Sequence, residues 1–204
     1  MKSRTLAIIA GVSYLIIFFS AVFANFFVLE SILKDPSGFI LQNPKMVRSG
    51  IMAFMITVSF DVVVAWTLFE LYRKHSLALL STFFRMMHAV IMGVAVFALP
   101  MTLTMATDRE ILAQVDIFNT IWLIGLFFFG IHLVLLGKII ERMKIIAIFL
   151  SIAGLMYMVD TAAHFLLPAY EAWTPVFLAL VAIPSIVGEM SFAVWLLVKG
   201  GRSA

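Results

Sequence analysis

Cysteine is absent from these 204 residues, which excludes disulfides, thiolate metal centres and cysteine nucleophiles together. Charge is scarce as well. Asp, Glu, Lys and Arg make up 12% of the chain, half of the about 25% usual in soluble domains, which excludes an ordinary soluble protein. The sequence also lacks a G-x-S-x-G nucleophile turn, an H-E-x-x-H zinc motif and a phosphate-cradling glycine loop, so no motif names a reaction. The 14 basic and 11 acidic residues cluster between apolar runs, so the net charge of +3 reports loop topology and implies no nucleic-acid partner.

What is present is hydrophobic, at 64% of residues with a mean hydropathy of +1.13. A bilayer core of ~30 Å needs ~20 mainly apolar residues per helix. Six stretches qualify, at about 5–29, 49–72, 76–100, 116–140, 143–167 and 172–198. The fold class expected is therefore all-α, a single domain over 1–204 built as an integral membrane bundle of six transmembrane helices. Thirteen Met and twenty Phe suit packing and a lipid-facing surface rather than a cofactor box.

In the first span the stripe Gly11, Tyr14, Phe18, Ala21, Asn25 follows helical spacing and marks the protein-facing side. A cleaved signal peptide is the rival reading, since Lys2 and Arg4 precede the apolar run; the run exceeds the ~7–15 residues of a secretory core. The segment Glu30–Arg48 holds Asp35-Pro36-Ser37-Gly38 and Asn43-Pro44 as turn signals, with Phe39, Ile40 and Leu41 placed to dip into the interface or cover the bundle's outer mouth. Met101–Val115 reads as a polar loop with one helical turn. Placing both termini on one side gathers Lys2, Arg4, Arg73, Lys74, Lys138, Arg142, Lys144, Lys199 and Arg202 there. Lys34, Lys45, Arg48 and Arg109 fall opposite. That bias puts both termini in the cytoplasm and the protein in the cell's inner (plasma) membrane.

The third span, SLALLSTFFRMMHAVIMGVAVFALP, contains Arg85 and His88 on one helix face. A guanidinium in hydrocarbon costs at least ~2.5–3.5 kcal/mol, so it must face protein and find an acceptor. At ~1.5 Å per residue, Asp61, Arg85 and Glu189 all lie near ~13–14 Å from the cytoplasmic ends of their helices. This level grouping of Asp61, Arg85, His88 and Glu189 is the candidate ligand-binding or charge network. It reads equally as a structural ion pair tying three helices. Pro184 leaves the Leu180 carbonyl without its usual donor, about two turns from Glu189, and interrupted helices near buried charges point to binding sites in transporters.

A second, outer cluster is Tyr157, Asp160 and His164. Asp-x-x-x-His can supply two metal ligands, a carboxylate that orients an imidazole, or two hydrogen-bonded interface residues. Zinc wants three or four ligands and no other stands level, so no metal is expected. His88, His132 and His164 should lie near ~18, ~8 and ~31 Å deep, so no two are level enough for a bis-histidine haem, and no cofactor is expected. His132 and Asn119 are second-tier positions.

SFDVVVAWTLFELYR, LALLSTFFRMMHAVI, FFGIHLVLLGKII, IAGLMYMVDTAAHFLLP and GEMSFAVWLLVKG, in this order, resemble the bacterial membrane family called domain of unknown function 4386. The resemblance implies six helices and places Asp61, Arg85, His132, Asp160 and Glu189 on the family's polar positions. Two departures stand out: Met143-Lys144 where a proline is common, and His88 where an acid is common. The family implies no chemistry.

Three classes of function fit. One is binding or transport of a small anionic or amphipathic molecule, with Arg85 as anion partner and Glu189 or Asp61 as the titrating group. Another is an intramembrane enzyme acting on a lipid-like substrate. The third is a structural or partner-binding subunit. Buried ionisable residues on several helices favour the first. The partners implied are the lipid bilayer and a small-molecule ligand, and a homo-oligomer is compatible with so small a protomer.

Overall fold

The computed structural model describes residues 1–201; Arg202, counted above on the cytoplasmic side, lies outside the described residues. The elements are α1 (Ser3–Val22), a π-helical segment (Phe23–Leu29), α2 (Glu30–Lys34), α3 (Pro36–Gln42), α4 (Pro44–Tyr72), α5 (Ala78–Val96), α6 (Ala98–Met101), α7 (Asp108–Ile139), α8 (Lys144–Leu166) and α9 (Tyr170–Val198). No strand occurs among the described residues, and six helical stretches are long and apolar enough to cross a membrane. The side chains left exposed are largely apolar, among them Phe19, Phe83, Val90, Ile145 and Leu178, as a hydrocarbon surround requires.

Three boundaries differ from the sequence reading. The first span does not stop at residue 29 but runs helically to Lys34 through the π-helical segment. That segment shifts the buried face, from Ala10, Ser13 and Tyr14 in α1 to Ala24, Val28 and Ile32 beyond; Phe18, Ala21 and Asn25 are only half-buried. The segment 30–48 is not a plain loop. It folds as α2 and α3, and α4 already starts at Pro44, where proline suits the first helical turn because its missing N–H has no partner to lose. Ile40 is buried in the apolar cluster that also holds Val47, Leu99 and Ile111, whereas Leu41 stays 79% exposed. Finally, α7 starts at Asp108, not 116. Thr107 and Glu110 form a capping box in which each side chain takes the other's backbone N–H, and the Ser37 N–H donates to Asp108 Oδ1 at 3.0 Å.

Each long helix packs on its neighbour in sequence, α1 on α4, α4 on α5, α5 on α7, α7 on α8 and α8 on α9, and α9 closes the ring against α1. Small residues set the closest approaches: a Cβ on Gly130 of α7 would meet the Gly154 carbonyl oxygen of α8 at 2.5 Å. Arg4 donates from its guanidinium to the carbonyls of Leu196, Leu197 and Gly200, covering orphan acceptors at the C-terminal end of α9 and tying the chain's two ends together. Two apolar clusters fill the ring. One, near the termini, gathers Tyr14, Val64, Leu133, Leu150, Phe192 and Leu196; the other, at the far end, gathers Val28, Phe54, Ala95, Ile111 and Phe118. Between them lies a polar layer.

Candidate functional site

That layer starts from α5, whose buried residues Ala78, Ser81, Arg85, His88, Met92 and Ala95 recur every three or four positions and so form one inward face. Arg85, 1% exposed, reaches three other helices. Its Nη2 donates to Asp61 Oδ1 of α4 at 2.5 Å. Its Nη1 donates to the Tyr14 hydroxyl of α1 at 3.0 Å and to His132 Nε2 of α7 at 3.2 Å. The guanidinium carbon lies 5.0 Å from the Tyr14 ring centroid and 5.3 Å from that of Phe129, adding cation–π attraction where water is scarce.

The two buried histidines are held differently. His132 Nδ1 lies 3.0 Å from the Ser81 carbonyl oxygen, so that nitrogen carries the hydrogen, and Nε2 accepts from a guanidinium that has only hydrogens to offer. Geometry therefore holds His132 neutral. His88 Nδ1 donates to the Gly125 carbonyl at 3.0 Å, leaving Nε2 3.6 Å from Asp61 Oδ2. Asp61 thus stands between the Arg85 guanidinium and the His88 imidazole. Among the described residues, two buried polar atoms have no hydrogen-bond partner, Arg85 Nε and Ser185 Oγ. Chemically the layer is a fixed guanidinium cation with a carboxylate seated on it and one N–H, on Nε, without a partner among the described residues.

A family model described as domain of unknown function (DUF4386) matches residues 9–200, which include every residue of this layer. The chain belongs to the DUF4386 family. An uncharacterized protein of Archaeoglobus fulgidus is 28% identical to it over 168 residues, spanning 79% of this chain and 90% of that protein. No solved structure matches the chain.

In this DUF4386 protein the level group drawn from the sequence is divided. Asp61, Arg85 and His88 meet. Glu189 is half-buried on α9 and has neither ion pair nor hydrogen bond among the described residues. The reason is ring order: α9 packs on α8 and α1, placing it across the ring from α5, and Arg85's Nη1 and Nη2 are taken by nearer partners. In the outer cluster, Asp160 accepts from the Tyr170 hydroxyl at 2.6 Å instead of holding His164, whose exposed ring stands edge-on to Tyr170 and Phe165. Among the described residues no group of three or more His, Cys, Asp and Glu is placed to hold a metal ion. Tyr157 is half-buried, edge-on to Phe129. Asn119 points to the exposed face of α7 and takes no part in the layer.

Sequence reasoning left Tyr14 and Ser81 outside the site. Both carried a signal, Tyr14 as a polar, buried member of the first span's inward stripe and Ser81 one turn before Arg85 on the same face. Two open apolar cavities, of about 610 and 540 Å³, lie away from the layer. One is lined by Val90, Phe97, Gln114 and Ile121, the other by Ile146, Met190, Trp195 and Val198. A cavity of about 10 Å³ touches Ser81 and His132 from the side of Tyr72.

Proposed function

We propose that this multi-pass membrane protein binds, and moves across the membrane, a small anionic or amphipathic molecule at a charged midplane site, with Arg85 as its anion partner. The reading includes both termini in the cytoplasm and residence in the cell's inner (plasma) membrane. Its main support is the buried Arg85 guanidinium, which among the described residues has Nε unpartnered and a single anion, Asp61, on its fork. A ligand carboxylate offers the same oxygens as Asp61 and can take its place once Asp61 is protonated or turns away.

The test uses protein in nanodiscs, with thermal unfolding followed while octanoate, octanol or inorganic phosphate is added. Octanoate should raise the midpoint and octanol should not. Asp61→Asn removes the competing carboxylate; a charge-assisted hydrogen bond is worth about 1.5–3 kcal/mol, so octanoate should bind that variant about 10–100-fold more tightly. Equal responses to octanoate and octanol in both proteins would overturn the proposal. The filled fork and the small size of the cavity at His132 favour a second reading, a structural ion pair locking four helices, and that outcome would leave it standing.

A further inference from the structure

We propose that the groove between α8 and α9, at the end of the bundle that carries both chain termini, binds one anionic phospholipid, with an acyl chain in the groove and the phosphate on Lys199. This lies beyond the midplane site and stands whether or not a ligand uses Arg85. The groove measures about 540 Å³, within the about 300–1,000 Å³ usual for ligand pockets. Ile146 of α8 and Met190, Val194, Trp195 and Val198 of α9 line it, and Lys199, just past the end of α9, completes the lining at the mouth. The α9 residues recur at three- and four-residue spacing and so form one helix face.

The dimensions fit a single leaflet. From Met190 to Lys199 the chain rises about 13–14 Å, close to half of a ~30 Å hydrocarbon core. Inward of Met190 the two helices come together: a Cβ on Gly188 would meet the Leu150 backbone nitrogen at 3.0 Å, and no α9 residue beyond Met190 lines the groove. Trp195 gives it a flat, fixed wall, stacked on Phe192 with 6.3 Å between centroids and 9° between planes. Tryptophan favours the headgroup level of a membrane, where the mouth lies.

Charge selects among lipids. Lys199 and Lys144, the latter two residues before Ile146, are exposed and have no ion pair among the described residues. Arg142 adds a further cation in the turn before α8, with Glu141 as its acidic neighbour. The first-turn N–H groups of α8 open at the same end with no side chain capping them. Lysine stems lie along apolar surface while the ammonium stays at phosphate level, and basic pockets between transmembrane helices hold anionic headgroups in this way. A phosphodiester with an uncharged headgroup keeps its negative charge for these groups, whereas a choline headgroup brings its own ammonium. Glu189, beside Met190, is at the tail end and does not line the groove. The larger groove beside Val90 and Phe97 has no charged residue in its lining among the described residues and offers no such selection.

The experiment reads Trp195 fluorescence in the full-length chain, with Trp66→Phe, Trp122→Phe and Trp173→Phe removing the other tryptophans. The protein is reconstituted in phosphatidylcholine vesicles, and phosphatidylglycerol or phosphatidylcholine brominated in the headgroup half of one acyl chain is titrated in. Phosphatidylglycerol should quench Trp195 at the lower mole fraction. Lys199→Gln should weaken that binding about fivefold, the effect of one lysine near an anionic headgroup, and leave phosphatidylcholine unchanged. Lys74→Gln, at the same end but between α4 and α5, should change neither. Should the triple variant fail to fold, native mass spectrometry of the chain with its tryptophans counts retained lipids, and Lys199→Gln should retain one phosphatidylglycerol fewer. Equal quenching by the two lipids, an equal loss in Lys74→Gln, an unchanged lipid count, or a Trp195 that neither lipid quenches because a second copy of the chain covers it would overturn the proposal.

Discussion

Replacing Asp61 by Asn removes one charge from the interior with almost no change of shape, and it should be among the most damaging substitutions in the chain. The amide oxygen can still accept from Arg85 Nη2, which now sits 2.5 Å from Asp61 Oδ1. What is lost is the counter-charge of a guanidinium that is 1% exposed and cannot shed its proton. Stranding one member of a buried pair costs about 3–5 kcal/mol. Moving Arg into the middle of a span costs at least about 2.5–3.5 kcal/mol on insertion scales, so two independent routes give the same range. The opposite deletion, Arg85→Leu, should cost less, because the Asp61 carboxyl it leaves can take a proton and has His88 Nε2 3.6 Å away. Reversible unfolding in mixed detergent micelles, followed by circular dichroism, measures both. A loss below about 0.5 kcal/mol for Asp61→Asn would refute the reasoning, as would a larger loss for Arg85→Leu; the threshold is the size of an ordinary surface substitution.

Gly130→Ala should cost about 1–3 kcal/mol in the same assay, because its methyl would meet the Gly154 carbonyl oxygen at 2.5 Å and backbone cannot swing aside. Unchanged stability would mean that α7 and α8 pack less closely. Tyr170→Phe removes the 2.6 Å donor to Asp160 at the head of α9 and should cost about 1–3 kcal/mol. An Asp160→Asn background should erase much of that loss, and additive losses would contradict the pairing. Reporter fusions after Gly201 and beside Thr107 should read cytoplasmic and external respectively; a C-terminal reporter that reads external would invert the topology.

The six spans were legible because hydrocarbon demands long apolar helices, and the Arg85–Asp61 meeting because a buried guanidinium must find a carboxylate. His132 was harder. Counting residues put it ~5 Å shallower than Arg85, yet the two are hydrogen-bonded. Side chains lean toward the N-terminus of their own helix. Because α5 and α7 are antiparallel, Arg85 and His132 lean toward each other and close that gap, which a count of Cα levels ignores. Glu189 failed for the complementary reason: equal depth says nothing about which helices are neighbours, and only the closing contact of α9 with α1 reveals that it faces Arg85 from across the ring. The early start of α7 was readable all along, since Thr107-Asp108-Arg109-Glu110 is a capping-box sequence. Reading those residues as loop gave too much weight to their polarity.

Whether Arg85 holds a ligand's anionic group is read from a crystal or electron-microscopy structure of Asp61→Asn with a bromine-labelled octanoate. The probe's carboxylate should lie on the Arg85 fork, in the place the Asp61 carboxylate occupies now, with its chain between helices. A probe found only among detergent on the outer surface, with the substituted amide still seated on Arg85, would contradict it.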